Sequence, residues 1–425
     1  MISKEEQAKI REHSLALAKA VIGDKNIFDV LKERGYLMQC TNEDGVREYL
    51  ATPGKYLYTG FDPTADSLHI GHFLPIMVMA YLQAAGHHPI ALMGGGTGMI
   101  GDPSGRTDLR KILTAETVQH NVDCIQDQMG ILLDFSNEKA VLVNNADWIL
   151  GLNYIDFLRD IGSQFSVNRM LTAECYKNRM ERGLTFLEFN YMLLQAFDFL
   201  CLYRKFGLRL EMGGDDQWSN ILAGIDLVRR KEQAEGFGCT FTLLTNSEGM
   251  KMGKTAKGAV WINEDKLPVY DFYQYWRNVG DADVLKFLRL LTFTPLSEIA
   301  EYEHLTGSEL NPIKEILAFR ITEIVHGTEK ATKAQAKAKA LFAGNIADNA
   351  TTYTVEDPSQ SLLDMLVSLK LVPSKSEARR LMQQGGISVD DQVCTDINTH
   401  IPIDKLQAGF IVKRGKKNFY RLISK

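Results

Sequence analysis

Near position 70, His69-Ile70-Gly71-His72 sets two imidazoles three residues apart with a glycine between them. On a helix that spacing puts both rings on one face. A helix N-terminus draws anions, and Gly71 leaves room for close approach to the backbone, so the pair suits a triphosphate. The same histidines fit a hydrogen-bonded core pair equally well. The HExxH pattern of helical zinc sites, with histidines four apart, is absent, so no metal ligation is indicated. Much further along, Lys251-Met252-Gly253-Lys254-Thr255 is flanked by Gly249 and Gly258. Two ammonium groups on such a loop can swing onto phosphates and neutralise charge as pyrophosphate leaves. By itself such a segment is more often a solvated basic loop, and neither motif decides the chemistry alone.

The surrounding sequence predicts elements able to hold these groups. Tyr56 to Phe61 reads as a strand and Asp62-Pro63-Thr64-Ala65-Asp66 as the turn after it. A helix capped by Asp66 or Ser67 follows, through Ile76, Met79 and Leu82 to about Ala85. Pro89 to Met93 is a second buried strand, ending at Gly94-Gly95-Gly96. Strand, helix and strand with short joins form a βαβ unit, hence an α/β fold with a parallel sheet and a right-handed crossover. Alternation continues to about residue 260, with candidate strands at 140–143 and 239–244. Residues 1–50 read as helical and polar. Helical periodicity takes over from about Val269 to Ala343, and the Gly, Asn, Asp, Thr and Pro of 344–360 read as a linker. From Ser361 a last unit of two short helices and several strands runs into a basic tail. The expected division is therefore 1–260, 261–343, the linker 344–360, and 361–425.

A chain of 425 residues with 45% hydrophobic and 24% charged side chains has the composition of a multi-domain globular protein. The charged start and the short apolar run Phe73 to Leu82 predict neither a secretory signal nor a membrane helix. Six scattered cysteines without CxxC spacing predict no zinc site and no disulfide framework, which fits a cytoplasmic location. The net charge of −5 disguises a basic end: Lys405 to Lys425 holds seven basic residues and no acidic one. There Lys413, Arg414, Lys416 and Lys417 sit among Phe410, Phe419 and Tyr420, a mixture suited to phosphate contact.

Two further patterns bear on chemistry. Gly96-Thr97-Gly98-Met99-Ile100-Gly101 matches the dinucleotide fingerprint, but Asp102-Pro103-Ser104-Gly105 follows as a turn instead of a helix, so the match is incidental. Tyr191, Gln195 and Asp198 fall on one stripe of a helix. Such a stripe is usually structural, yet burying a Tyr, a Gln and an Asp together is costly without polar partners, which a ligand would supply.

Taken together, the two opening motifs resemble the HIGH and KMSKS signatures of class I aminoacyl-tRNA synthetases, with Gly253 and Thr255 in place of the consensus serines. Tyr58-Thr59-Gly60-Phe61-Asp62-Pro63-Thr64, Gly98 to Gly105, Tyr191 to Asp198 and Gly213-Gly214-Asp215-Asp216-Gln217-Trp218 narrow the resemblance to the bacterial-type tyrosyl-tRNA synthetase family, over nearly the whole chain. The resemblance implies a Rossmann-like catalytic domain with a helical extension at 1–260, an α-helical anticodon-side domain at 261–343 and a small α+β RNA-binding domain at 361–425. It implies that Tyr58 and Asp198 bind the substrate phenol, and that Asp102, Tyr191 and Gln195 bind its ammonium group. Thr64, His69 and His72 would meet the ATP phosphates, and Gly71 would leave the approach open. Gly214 and Asp216 would face the ribose, Gly60 and Asp62 would line the adenylate, and Gln217 would lie near the carboxylate and α-phosphate. Lys251, Lys254 and Thr255 would form the mobile loop. Ser374 to Met382 and Gly385 to Val389 resemble an RNA-binding module shared with a ribosomal protein, making Arg379 and Arg380 RNA contacts beside the tail. The implied partners are L-tyrosine, ATP with Mg2+ on its phosphates, tRNA(Tyr) and a second subunit of a homodimer, with no membrane. Pro75 and Glu211 depart from common family choices, and Glu211 adds a negative charge near the amino-acid site.

Overall fold

The strands predicted around the first motif form and pair in parallel. In the computed structural model, which describes residues 2–102, 104, 114–180, 183–250, 252, 254–255, 258–342, 350–390, 392–415 and 418–424, the main sheet has six strands. They are β1 (Leu37–Cys40), β2 (Tyr56–Phe61), β3 (His88–Met93), β4 (Val141–Asn144), β5 (Leu210–Gly214) and β6 (Phe237–Phe241). Their order is β1-β6-β5-β2-β3-β4, parallel throughout except for β1, which closes the β6 edge antiparallel. Every residue of β6, and all but the first of β3, is buried, as strands covered on both faces require. The strand order reverses between β2 and β5, so the carboxyl ends of those two strands flank a crevice.

The helix between β2 and β3 runs Ile70–Ala84 and is buried along most of its length. Its cap is His69, not Asp66 or Ser67 as the sequence predicts. Asp66 is ion-paired to Lys266, and the Ser67 hydroxyl is spent on Leu68 O and Gln128. His69 instead has extended backbone, and its Nδ1 accepts the Gly71 N–H at 3.0 Å. Three other expectations shift. Residues 1–50 are mostly helical but contain β1, the strand predicted at 239–244 spans Phe237–Phe241, and that at 140–143 spans Val141–Asn144. The segment before β1 is anchored by Arg34, which is 1% exposed. Its guanidinium donates to the carbonyls of Arg289, Thr292 and Thr294, capping the end of the helix Val284–Leu291.

The chain packs as two units, Met1–Ala331 and Thr332–Lys425. The helices Val269–Arg277, Val284–Leu291 and Leu310–His326 lie in the first unit along with the sheet. A small hairpin, β7 (Lys254–Thr255) and β8 (Gly258–Ala259), also belongs to it. The second unit carries a five-stranded sheet made of β9 (Thr351–Val355), β10 (Ile387–Val389), β11 (Gln392–Val393), β12 (Phe410–Arg414) and β13 (Asn418–Ser424). The expected linker 344–360 thus includes β9, which pairs parallel with β13. Leu362, Met365, Leu366, Met382, Ile387, Leu406, Val412 and Leu422 form this unit's core.

Candidate active site

A cavity of about 380 Å³ opens where β2 and β5 end. β2 and the turn beyond it contribute Tyr58, Gly60, Asp62 and Thr64, and the following helix start contributes His69, Gly71 and His72. Asp102 enters from the turn after β3. Tyr191, Gln195 and Asp198 come from one face of the helix Tyr191–Phe206, and Gly214, Asp216 and Gln217 from the end of β5. All fourteen were singled out from sequence, and the fold brings them to one cavity. Of the loop residues, Lys251 lies outside the described residues, and for Lys254 and Thr255 only the backbone of β7 is described. Met252, between the two lysines, lines the cavity. The segment after the loop docks on the first motif, where Ile70 N donates to Val260 O at 2.9 Å and His69 bridges Trp261.

At the mouth the rings of His69 and His72 stack with centroids 3.9 Å apart. The Nδ1 of His69 accepts the Gly71 N–H, and the Nδ1 of His72 accepts the His69 N–H at 3.4 Å. In the neutral form each ring therefore carries its proton on Nε2, as a donor. A Cβ on Gly71 would lie 2.8 Å from the His69 ring, so only glycine fits there.

The deep end is acidic and buried. Asp198 is 2% exposed, and its oxygens accept from Asn145 Nδ2 at 2.9 Å and Trp148 Nε1 at 2.8 Å. Burial still pushes its carboxyl up to about 8, against those two donors. Asn145 is itself fixed, accepting from Gly96 N at 2.8 Å and donating to Thr97 Oγ1 at 2.9 Å. The Tyr58 hydroxyl is buried without a hydrogen-bond partner. Burial, then the charges of Glu211 and Asp198, hold it well above the usual phenol range. Asp102 accepts from Ser104 N at 2.8 Å and Gln217 Nε2 at 2.7 Å. Burial and then the charge of Asp62 raise it to about 6. Glu211 faces this cavity as well, with burial pushing it up to about 7. The arrangement can pair a phenol at its floor and an ammonium group at its wall, with phosphates at the histidine mouth.

A family model described as tRNA synthetases class I (W and Y) matches residues 55–343. One described as tyrosine--tRNA ligase SYY-like C-terminal domain matches 343–422. A tyrosine--tRNA ligase of Clostridium botulinum (strain Loch Maree / Type A3) is 56% identical over 403 residues, 94% of this chain and 99% of that one. The chain belongs to the class I tyrosyl-tRNA synthetases. Acetivibrio thermocellus has a tyrosine--tRNA ligase 55% identical over 403 residues, 93% of this chain and 99% of its own. Among solved structures, a C-terminally truncated mitochondrial tyrosyl-tRNA synthetase of Aspergillus nidulans matches with a TM-score of 0.65 at 27% identity, covering 79% of this chain and all of that one. A Plasmodium falciparum tryptophanyl-tRNA synthetase, at 16% identity and a TM-score of 0.53 over 76% of this chain and 89% of that one, shares the fold alone. As a tyrosine--tRNA ligase, this synthetase uses ATP to activate tyrosine and transfers it to tRNA.

Sequence reasoning missed the residues that orient the synthetase's deep carboxylate. Asn145 and Trp148 follow β4, and their only signal is an asparagine pair at the end of a parallel strand. In the second unit Arg379 and Arg380 are exposed on the helix Lys375–Gln383, with Arg380 paired to Glu377 at 2.6 Å. Lys413 and Arg414 lie over the rings of Phe419 and Tyr420, and Arg414 also donates to Leu371 O. Lys416 and Lys417 lie outside the described residues. Among the described residues no group of three or more His, Cys, Asp or Glu is placed to hold a metal ion, and no helix is long and apolar enough to cross a membrane.

Proposed function

We propose that L-tyrosine lies in this cavity with its phenol between Tyr58 and Asp198 and its ammonium group among Asp102, Tyr191 and Gln195. The observation that carries this reading is the floor of the cavity. Asp198 is held by Asn145 and Trp148 while the Tyr58 hydroxyl stays buried and unpaired. A phenol gives that hydroxyl a partner, whereas phenylalanine leaves it unpaired, at about 1–3 kcal/mol per unpaired group.

ATP enters as its magnesium complex, with its phosphates at Thr64, His69, Gly71 and His72 and its ribose at Gly214 and Asp216. Gly60 and Asp62 line the adenylate. A tyrosine carboxylate oxygen attacks the α-phosphorus and the bond to the β-phosphate breaks, releasing pyrophosphate. The Nε2–H groups and the loop lysines Lys251 and Lys254, with Thr255, stabilise the charge that develops. The terminal ribose hydroxyl of tRNA(Tyr) then attacks the carbonyl carbon and AMP leaves. Gln217, whose Nε2 donates to Asp102, lies near the substrate carboxylate and the α-phosphate.

Residues 1–260 serve catalysis, 261–343 the anticodon side and 361–425 RNA binding, with Arg379, Arg380, Lys413, Arg414, Lys416 and Lys417 on phosphates. The enzyme works in the cytoplasm as a homodimer. Exposed Tyr154, Ile155, Val167, Phe186 and Leu187 support a subunit interface. ATP–pyrophosphate exchange across the twenty amino acids tests the substrate. Tyrosine alone should support fast exchange, and equal exchange with tryptophan would overturn the assignment.

A further inference from the structure

Glu211 stands in β5 directly across from Tyr58 in the parallel pairing with β2. It is 2% exposed. Oε1 accepts from Gln195 Nε2 at 3.0 Å, and Oε2 has no hydrogen-bond partner. Oε2 sits in a corner that Gly224 keeps open, since a Cβ on that glycine would come within 3.2 Å of it. The Tyr58 hydroxyl approaches the Glu211 carboxyl closely enough for each group to shift the other's ionisation, the phenol upward and the carboxyl downward. A buried carboxyl group with one oxygen unsatisfied is costly. Its Oε1 is held by an amide on the cavity wall.

That amide has two faces of nearly equal shape, one donating and one accepting. A glutamine wall with its NH2 group toward the cavity would repel a cation, and with its carbonyl oxygen toward the cavity would bind one. An ionised carboxylate can only accept, so it holds the NH2 group of Gln195 on the β5 side. We propose that Glu211 is a positioning residue that locks the Gln195 side chain with its Oε1 turned to the cavity, ready to accept from the substrate's ammonium group. This rests on the reading that tyrosine's ammonium binds at Asp102, Tyr191 and Gln195, and it assigns the element that orients one of those acceptors. A glutamine at 211 could donate or accept and would leave both orientations open.

Two fragments of tyrosine separate this role from a general packing role. Tyramine keeps the ammonium group and lacks the carboxylate, and 3-(4-hydroxyphenyl)propionate keeps the carboxylate and lacks the ammonium group. Their competitive inhibition constants against tyrosine are measured at pH 8 with the full-length enzyme and its Glu211→Gln and Glu211→Met variants. Tyramine should weaken about tenfold or more in Glu211→Met, the worth of one charge-assisted hydrogen bond, and several-fold in Glu211→Gln. The propionate should change less than about twofold in both. Equal loss of the two fragments, or unchanged tyramine binding, overturns the positioning role. If Glu211→Met fails to fold, the isosteric Glu211→Gln decides by the same contrast. Failure of both fragments to bind the unsubstituted enzyme would instead remove the tyrosine-cavity reading on which the proposal stands.

Discussion

Asp102 and Asp198 are both carboxyls in the same cavity, yet their surroundings set them different tasks. Asp102 meets a backbone N–H and an amide, titrates at about 6, and is suited to a cation once ionised. Its folded value lies above that of a free aspartate, so below about pH 6 it carries a proton that an ammonium group bound there would have to displace. Tyrosine affinity should therefore fall as pH drops through 6, by up to about tenfold per unit. In Asp102→Asn it should be weak from pH 5 to 7 and keep only the shallower fall that Glu211, pushed up to about 7, contributes. Calorimetric titration across that range checks both slopes, and a pH-independent affinity in the unsubstituted enzyme would exclude Asp102 as the partner. At this scale the sequence was legible wherever a residue lay in an ordered motif, as Tyr58, Asp102 and Asp198 did. Asn145 and Trp148 were illegible because nothing in an asparagine or a tryptophan after a strand says which buried carboxylate it will meet.

Elements were legible where periodicity and burial agreed. β2, β3 and the helix carrying Tyr191, Gln195 and Asp198 have the runs or stripes that buried strands and helices need. β1 was not, because Leu-Met-Gln-Cys is a short, partly polar edge strand whose partner lies 200 residues away in sequence. The helix start was misplaced because the obvious caps, Asp66 and Ser67, form tertiary bonds, and histidine is an unusual cap. Arg34 belongs to this scale too, since it ties the segment before β1 to a distant helix end. Arg34→Met should lower stability by about 3 kcal/mol, because several buried carbonyls lose their donor. Urea unfolding followed by tryptophan fluorescence measures this. A midpoint equal to that of the unsubstituted protein would show that those bonds contribute nothing net.

For the molecule as a whole, charge distribution was the informative quantity. A net charge of −5 conceals a C-terminal unit in which half-buried Lys413 and Arg414 sit over aromatic rings and Arg379 and Arg380 are exposed. If Arg379 and Lys413 each neutralise a tRNA phosphate, substituting either by alanine should weaken tRNA binding and reduce the salt slope by about one. Tyrosine-dependent pyrophosphate exchange should stay unchanged. Filter binding from low to moderate salt reads the slope, and an unaltered slope would place the RNA elsewhere. The boundary signal was weaker than the charge signal. Residues 344–360 have linker composition, yet Thr351–Val355 joins a sheet through a partner near the end of the chain. The proposed recognition pairs the substrate phenol with Tyr58 and Asp198 at the cavity floor. Pyrophosphate exchange with tyrosine and with phenylalanine, in the unsubstituted enzyme and in Asp198→Ala, tests it most directly. In Asp198→Ala, kcat/KM for tyrosine should fall about a hundredfold or more while that for phenylalanine barely moves, so discrimination collapses. An unchanged ratio between the two amino acids would contradict it.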